Sequence, residues 1–299
     1  AIVALGVLCL IVEILNGRKA IVPITIVGLL AILGLTATGF NDSADTFNNM
    51  IVFDNFATTF SCLFIVLTIF LVALSPNFHE KQITKISDFI SIKLFLLSGG
   101  VAMVAFGNLS MFFLGIEILS IALYVLAASD RLSIKSNEAG MKYFLMGAFA
   151  SGFILFGIAL IYGATGSFDM ATIQEAGSSA DVEDWFYIGA ILLSIGMLFK
   201  VAAAPFHFWA PDVYEGSPAL TTALMSTLTK VIAMAAFFKL VGAMNVNLPY
   251  SSQTAIIVIS ILSMTIGNIM ALKQTNVKRM LAFSGISHAG FMLMTLLAV

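Results

Sequence analysis

The chain has 299 residues, 60% of them hydrophobic and only 10% charged, with a formal net charge of −2 and a mean hydropathy of +1.04. A soluble domain carries about 25% charged residues. This chain cannot cover itself with a wetted surface, so a soluble globular class is excluded and lipid must be its solvent. The two cysteines, Cys9 and Cys62, lie in apolar runs and give neither a metal spacing nor a disulfide framework. No signal peptide is visible. The sequence opens on Ala1 and closes on Val299, each inside a hydrophobic run, and reads as a fragment of a longer chain.

About 20 apolar residues cross the hydrocarbon as a helix. Ten such stretches follow in chain order, at roughly 1–16, 21–40, 55–76, 89–106, 108–129, 137–164, 185–209, 216–244, 252–272 and 280–299. They predict an all-α polytopic membrane protein forming a single membrane domain over 1–299. The fourth and fifth spans are separated only by "GNLS", a tight turn or a bend.

The loops set the orientation. Those after odd-numbered spans carry Arg18, Lys19, Lys81, Lys85, Arg131, Lys135, Lys273, Lys278 and Arg279, and those after even-numbered spans carry no Lys or Arg. The even loops hold Asp42, Asp45, Asp54, Asp169, Glu175, Asp181, Glu183 and Asp184. Nine basic residues against none is a positive-inside signal that places the odd loops in the cytoplasm and the N-terminal end outside.

The remaining charges lie in the spans. Lys93, Lys239 and Glu13 sit near span ends and are expected to snorkel. Glu117 in the fifth span, Lys200 in the seventh and Lys230 in the eighth fall near mid-bilayer. Lys142 in the sixth lies one to two turns in from the cytoplasmic face. A charge at the membrane centre costs about 2.5–3.5 kcal/mol on insertion scales, so three such residues cost an amount comparable to the net stability of a protein. They must face one another, water, or both. Several lysines against one mid-membrane acid make a poor structural pin and suggest groups that need not all be charged at once. Thr222, Ser226 and Lys230 are spaced by four and would share a helix face, where hydroxyls order water or simply bond back to the backbone. Glu138 and Lys142 are also spaced by four, which an ordinary local ion pair would explain.

The stretch "FKVAAAPFHFWAPDVYEG" interrupts the seventh span. Pro205 removes a backbone hydrogen bond and clashes with the carbonyl four residues back, so the helix should break or kink there. Freed backbone in lipid is tolerated only where protein or water satisfies it, and broken helices in transporters mark ion paths. Lys200 precedes the break and His207 follows it, seven residues on, which in an unbroken helix would put both on one face. Asp212 and Glu215 are expected in the cytoplasmic turn, as an N-cap and first-turn acids for the eighth span.

Three segments, "FKVAAAPFHFWAPDVYEGSPA", "NEAGMKYFLMGAFASGFILFG" and "NVKRMLAFSGISHAGFML", resemble the antiporter-like membrane subunits of respiratory complex I, a family that also includes Mrp-type cation/proton antiporter subunits. The resemblance covers nearly the whole chain from about the third span. Sister subunits place a histidine in an "LIHAAT"-like stretch of the eighth helix. Here "LMSTLTKVIAM" has none there and carries a lysine six residues on. The resemblance implies an antiporter-like fold of fourteen helices with two inverted five-helix repeats, each holding a broken helix. On that scheme 1–76 holds the first three helices, 89–244 the first repeat and 252–299 the start of the second, whose broken twelfth helix with its lysine is not reached.

The resemblance also assigns roles. It implies that Glu117 is the fifth-helix glutamate that pairs with the seventh-helix lysine, Lys200. Lys230 is then the central eighth-helix lysine, His207 the histidine of the break, and Lys142 a sixth-helix lysine, together a proton-translocation chain. A free lysine holds its proton up to about pH 10.4. Burial weakens that hold and a nearby carboxylate restores it. Glu117 beside Lys200 would keep that lysine charged, and its withdrawal would send the proton toward Lys230. Rearranging such pairs in low dielectric matches the roughly 2.3 kcal/mol per charge that 100 mV of membrane potential opposes.

The implied function is proton translocation as a subunit of NADH–quinone oxidoreductase in the bacterial cytoplasmic membrane. Its partners would be the bilayer and other membrane subunits, including sister antiporter-like ones, and no nucleic acid. The chain shows no cysteine cluster for iron–sulfur, no dinucleotide or flavin fingerprint and no paired histidines for haem. No cofactor is therefore expected in it, and NADH, FMN, iron–sulfur clusters and quinone fall to partner subunits. An Mrp-type cation/proton antiporter subunit is the alternative. A dedicated Na⁺ site would favour several acids or carbonyls at mid-membrane, however, and the lysines repel cations. A purely structural spacer is disfavoured by the buried charges.

Overall fold

The computed structural model describes residues 1–41, 44–79, 86–178, 184–244 and 250–298. Asp42, Lys81, Lys85, Asp181 and Glu183 of the loop pattern lie outside the described residues. The elements run α1 (Ile2–Ile14), α2 (Arg18–Ala37), β1 (Ala44–Thr46), β2 (Ile51–Phe53), α3 (Asn55–Ala73), α4 (Ser75–His79), α5 (Ile86–Val104), α6 (Leu109–Ala127) and α7 (Ile134–Thr165). They continue with α8 (Met170–Gly177), α9 (Asp184–Val201), α10 (Trp209–Gly216), α11 (Ala219–Ser226), α12 (Leu228–Met244), α13 (Tyr250–Leu272) and α14 (Val277–Leu293), closed by a 3₁₀ turn over Met294–Ala298. Among the described residues nine helical stretches are long and apolar enough to cross a membrane, and α1 is a shorter apolar helix. These correspond to the ten expected spans.

Local chemistry fixes the helix starts. Asp54 caps α3 through the Ala57 N–H at 2.6 Å, Asn108 caps α6 through Met111 at 2.8 Å, and Asn276 caps α14 through Lys278 at 2.9 Å. Asp169 caps α8 through Ala171 at 3.0 Å. Two of the even-loop acids therefore serve as caps.

In the bundle, α5 lies inside, against α1, α3, α6 and α12, while α7 packs on α9 and α13 on α14. The α7–α9 crossing is a close backbone approach. A Cβ on Gly157 would stand 2.6 Å from the Gly189 carbonyl oxygen, so only glycine fits, as is common between helices in lipid. Side chains such as Leu35 and Phe149 point outward, which suits a lipid-facing surface.

Three features depart from expectation. The acidic segment before α3 contains a two-stranded antiparallel hairpin, β1–β2, with Asp45 opposite Val52. Its second strand also receives the α5–α6 turn: the Val52 N–H meets the Ala105 carbonyl at 2.7 Å and Ile51 bridges Phe106. The eighth span is divided at Thr227 (φ −114°, ψ −83°) into α11 and α12. The hydroxyls of Ser226 and Thr227 both donate to the Ala223 carbonyl, at 2.9 and 2.8 Å, and so compete for a helix acceptor. The seventh span ends at Val201 rather than 209, and a separate short helix, α10, follows the break.

Candidate functional site

The break in the seventh span is built from the chain itself. Ala202 takes a left-handed conformation (φ 58°). The Ala203 N–H reaches back to the Leu198 carbonyl at 2.9 Å and the Ala202 N–H to Phe199 at 3.0 Å. This is the six-to-one and five-to-two pattern that closes many helices, here with alanine where glycine is usual. The backbone beyond it is satisfied by protein. Ala204 N–H donates to Ser263 Oγ of α13 at 2.9 Å, and Trp209 Nε1–H donates to the Phe199 carbonyl at 3.0 Å. These two side chains supply partners of the kind that freed backbone in lipid requires.

Lys200 sits in the last turn of α9, where a cation meets the negative end of the helix dipole. Its Nζ donates to Ser120 Oγ of α6 at 2.7 Å, and Ser120 in turn donates to the Ile116 carbonyl at 2.6 Å. Glu117, three residues before Ser120 on the same helix, accepts from Ser151 Oγ of α7 at 2.5 Å. Glu117 and Lys200 are thus brought to one α6 face without closing a direct ion pair.

Lys230 is buried in α12, and its amine donates to the Gly285 carbonyl of α14. It has no ion-pair partner among the described residues. The face shared by Thr222, Ser226 and Lys230 does not form, because the Thr227 break intervenes. Thr222 Oγ1 bonds the Tyr214 carbonyl at 3.0 Å and Ser226 Oγ the Ala223 carbonyl, so both hydroxyls serve the backbone. His207 is buried in the segment between α9 and α10, stacked on Phe208 at 4.5 Å, with Nδ1 unpartnered. It does not continue the helix face of Lys200, since that alignment needs an unbroken helix.

Lys142 belongs to a different cluster. It pairs with Glu138 at 2.7 Å and with Asp212 of α10 at 3.1 Å. Arg279 of α14 pairs with Asp212 at 2.7 Å and Glu215 at 3.0 Å, and Lys135 reaches Glu215 at 3.4 Å. Asp212 and Glu215 are therefore not the cap of the next helix. They lie within α10 and bind it to α7 and α14, while Pro218 precedes α11. Burial pushes the Asp212 carboxyl up, but Arg279 and Lys142 outweigh it and hold the group below its ordinary value. Arg279 above all holds the Glu215 carboxyl low as well; burial pushes it up, and Lys135 adds to the lowering.

The residues expected to snorkel are partnered instead. Lys93 is 1% exposed and donates to Ser75 Oγ at 2.8 Å and the Leu71 carbonyl at 3.2 Å, with its amine 4.2 Å from the Phe89 ring centre. Lys239 pairs with Asp54 at 3.2 Å and donates to the Val104 carbonyl at 2.8 Å. Glu13 pairs with Arg18 at 2.7 Å. Lys93 is held wholly inside the bundle, whereas Lys239 and Glu13 pair with Asp54 and Arg18 at the helix ends. Sequence reasoning missed Ser120, Ser151 and Ser263. The one available signal was Ser120 at three residues from Glu117.

The family model for the transmembrane region of NADH:quinone oxidoreductase/Mrp antiporter proteins matches residues 107–299. A relative from Flavobacterium johnsoniae, NADH-quinone oxidoreductase subunit N, is 68% identical over 306 residues, covering 100% of this chain and 66% of its own length. A chain of respiratory complex I from Thermus thermophilus with bound aureothin matches with a TM-score of 0.82 at 29% identity, covering 100% of this chain and 64% of that one. A chain of the Mrp complex from Dietzia sp. DQ12-45-1b gives a TM-score of 0.82 at 22% identity, covering 99% of this chain and 56% of that one, a likeness of fold alone. The chain spans just under two thirds of the length of the curated relative.

Proposed function

The chain belongs to the NADH:quinone oxidoreductase/Mrp antiporter transmembrane family, and from that premise we propose that it acts as a proton-translocating membrane subunit of NADH–quinone oxidoreductase. The observation that carries the reading is the Lys200 site: an amine on Ser120 and a carboxylate on Ser151, on one helix face, near each other but not locked together. A closed ion pair inside a membrane resists rearrangement. Two charges each held by a neutral hydroxyl can approach or part with little loss of hydrogen bonding, and their separation sets how firmly the lysine keeps its proton. Lys230 then receives that proton beside the Gly285 carbonyl, with His207 at the break and Lys142 at the loop-facing end as further members of the path. The site residues and their order are part of the proposal.

The redox energy comes from partners. NADH, FMN, iron–sulfur clusters and quinone are assigned to other subunits, and sister antiporter-like subunits flank this one in the bacterial cytoplasmic membrane, with the N-terminal end outside. Subunit N relatives support this over an Mrp-type exchanger, because the curated match at 68% identity is far stronger than the fold-only likeness at 22%.

The test uses the full-length subunit in the intact complex, with proton uptake into sealed vesicles and a native gel for assembly. Lys200→Ala and Lys200→Arg should both assemble and both lose pumping, since arginine keeps its proton at accessible pH. Glu117→Gln should impair pumping too. Wild-type pumping by Lys200→Arg would refute the reading.

A further inference from the structure

The helices α13 and α14 approach each other backbone to backbone at two levels. A Cβ on Gly267 would stand 2.7 Å from the Ser287 nitrogen, and one on Gly290 would stand 2.7 Å from the Ser260 carbonyl oxygen. Glycine at both points lets the pair close, as small residues do between helices in lipid. Ser260 and Gly267 lie two turns apart on α13, about 10 Å along its axis. Contact over that length makes the pair one body.

That body bonds to three parts of the candidate site. Ser263 of α13, which is fully buried, accepts the Ala204 N–H at 2.9 Å and donates to the Ile259 carbonyl at 2.7 Å. Gly285 of α14 offers its carbonyl to the Lys230 amine. Further along α14, Arg279 pairs with Asp212 and Glu215 of α10, and Lys278 donates to the Ser217 carbonyl at 2.6 Å. The Ser263 contact is the one that bears on Lys200. Ala204 follows Lys200 by four residues, and the turn between them is locked by the bonds from Ala202 to Phe199 and from Ala203 to Leu198. A displacement of Ala204 is therefore passed to the last turn of α9, which sets the reach of the Lys200 amine to Ser120. The Ala204 N–H lies beyond that closed turn, and a buried N–H without a partner is costly, so the chain stays where Ser263 holds it.

We propose that α13 and α14 form a clamp that sets the two membrane lysines together, and that Ser263 is the residue that positions Lys200 through the backbone of the break; the proposal rests on the proton-translocation reading above. Ser263 acts on the chain beyond α9 and not on the amine itself. Gly285, on the same body, sets the resting place of Lys230. The Lys200–Ser120 and Lys230–Gly285 contacts are therefore made in register with each other, and a loss at one end of the clamp is felt at the other.

The experiment uses the full-length subunit in the assembled complex, with Lys200→Arg measured alongside. Ser263→Ala removes one oxygen, so assembly on a native gel should be unchanged while pumping falls by about tenfold, as for a reacting group held slightly out of place. Ser263→Thr keeps the hydroxyl and should recover pumping to within about threefold of wild type. Equal losses in the Ala and Thr variants would mean that the hydroxyl is not what matters, and would overturn the proposal. The shared clamp is tested by combining Ser263→Ala with Gly285→Ala. If one body sets both lysines, the double variant should retain about threefold or more above the product of the two single effects. Effects that simply multiply would mean two independent contacts and no clamp. If Ser263→Ala pumps within about twofold of wild type while Lys200→Arg is dead, the positioning role is wrong and the wider reading stands. If Lys200→Arg pumps normally, that reading falls and the clamp with it.

Discussion

Gly285 and Lys230 share one small volume. A Cβ on Gly285 would lie 2.8 Å from the Lys230 amine and 3.2 Å from its Cε, both at the far end of a flexible side chain. The glycine thus sets where the amine rests without holding up the backbone. Gly285→Ala should keep the complex assembled, because a lysine tip can swing away, but it should detach the amine from the Gly285 carbonyl. Pumping is expected to fall by about tenfold, in line with a misplaced group in a proton path. Gly34→Ala, at a position with nothing within 4 Å of the added carbon, is the control and should leave pumping unchanged. Equal rates for both variants in the vesicle assay would remove Lys230's resting place from the mechanism.

At the level of elements, α10 is the piece on which the break depends. Trp209 at its start holds the Phe199 carbonyl beside Lys200 and stacks on Tyr143 of α7 at 4.5 Å. Asp212 and Glu215 tie it to α7 and α14. Both carboxyls are held below their ordinary values of 3.8 and 4.5. A lowered carboxyl contributes stability that is present above its unfolded value and lost as pH falls through the folded one. Thermal unfolding of the subunit in detergent should therefore show a gap between wild type and Asp212→Asn that is full at neutral pH and closes below about pH 4. These partners are partly exposed, so the gap should be no more than about 1 kcal/mol. A gap independent of pH would mean that shape, not charge, holds α10. The break itself was legible because Pro205 acts on its own helix within four residues. The Thr227 break was not, since it depends on two hydroxyls choosing one carbonyl in a stretch with no proline or glycine. The hairpin was not legible either: its strands are three residues long, and β2 finds its further partner about fifty residues on, at Ala105 and Phe106. Lys200 and Glu117 could be singled out because charge in lipid is costly, whereas the serines that hold them look like any others.

Across the whole molecule, the loop pattern and the contacts agree on which loops share a side. Lys135, Glu215 and Arg279 come from three different odd-numbered connections and meet in one ionic network. Ile51, Phe106, Asn108 and Asp169 come from three even-numbered connections and meet through backbone bridges. Each set can form only if the intervening spans cross the bundle in alternation, so the sidedness of the loops relative to one another follows from packing alone. The basic residues predict which side is the cytoplasm. Cysteine labelling in the intact membrane checks both. Leu132, in the α6–α7 connection, is 76% exposed and is a better probe than its neighbour Ser133, whose hydroxyl caps α7. Leu132→Cys should react with an impermeant maleimide only in membranes whose cytoplasmic face is open. Ser178→Cys, at the end of α8 on the opposite face, should react only from outside. The reverse pattern would invert the orientation while leaving the fold intact. Reaction of both from one side would contradict the alternation itself, and with it the common face on which Arg279, Asp212 and Lys142 meet.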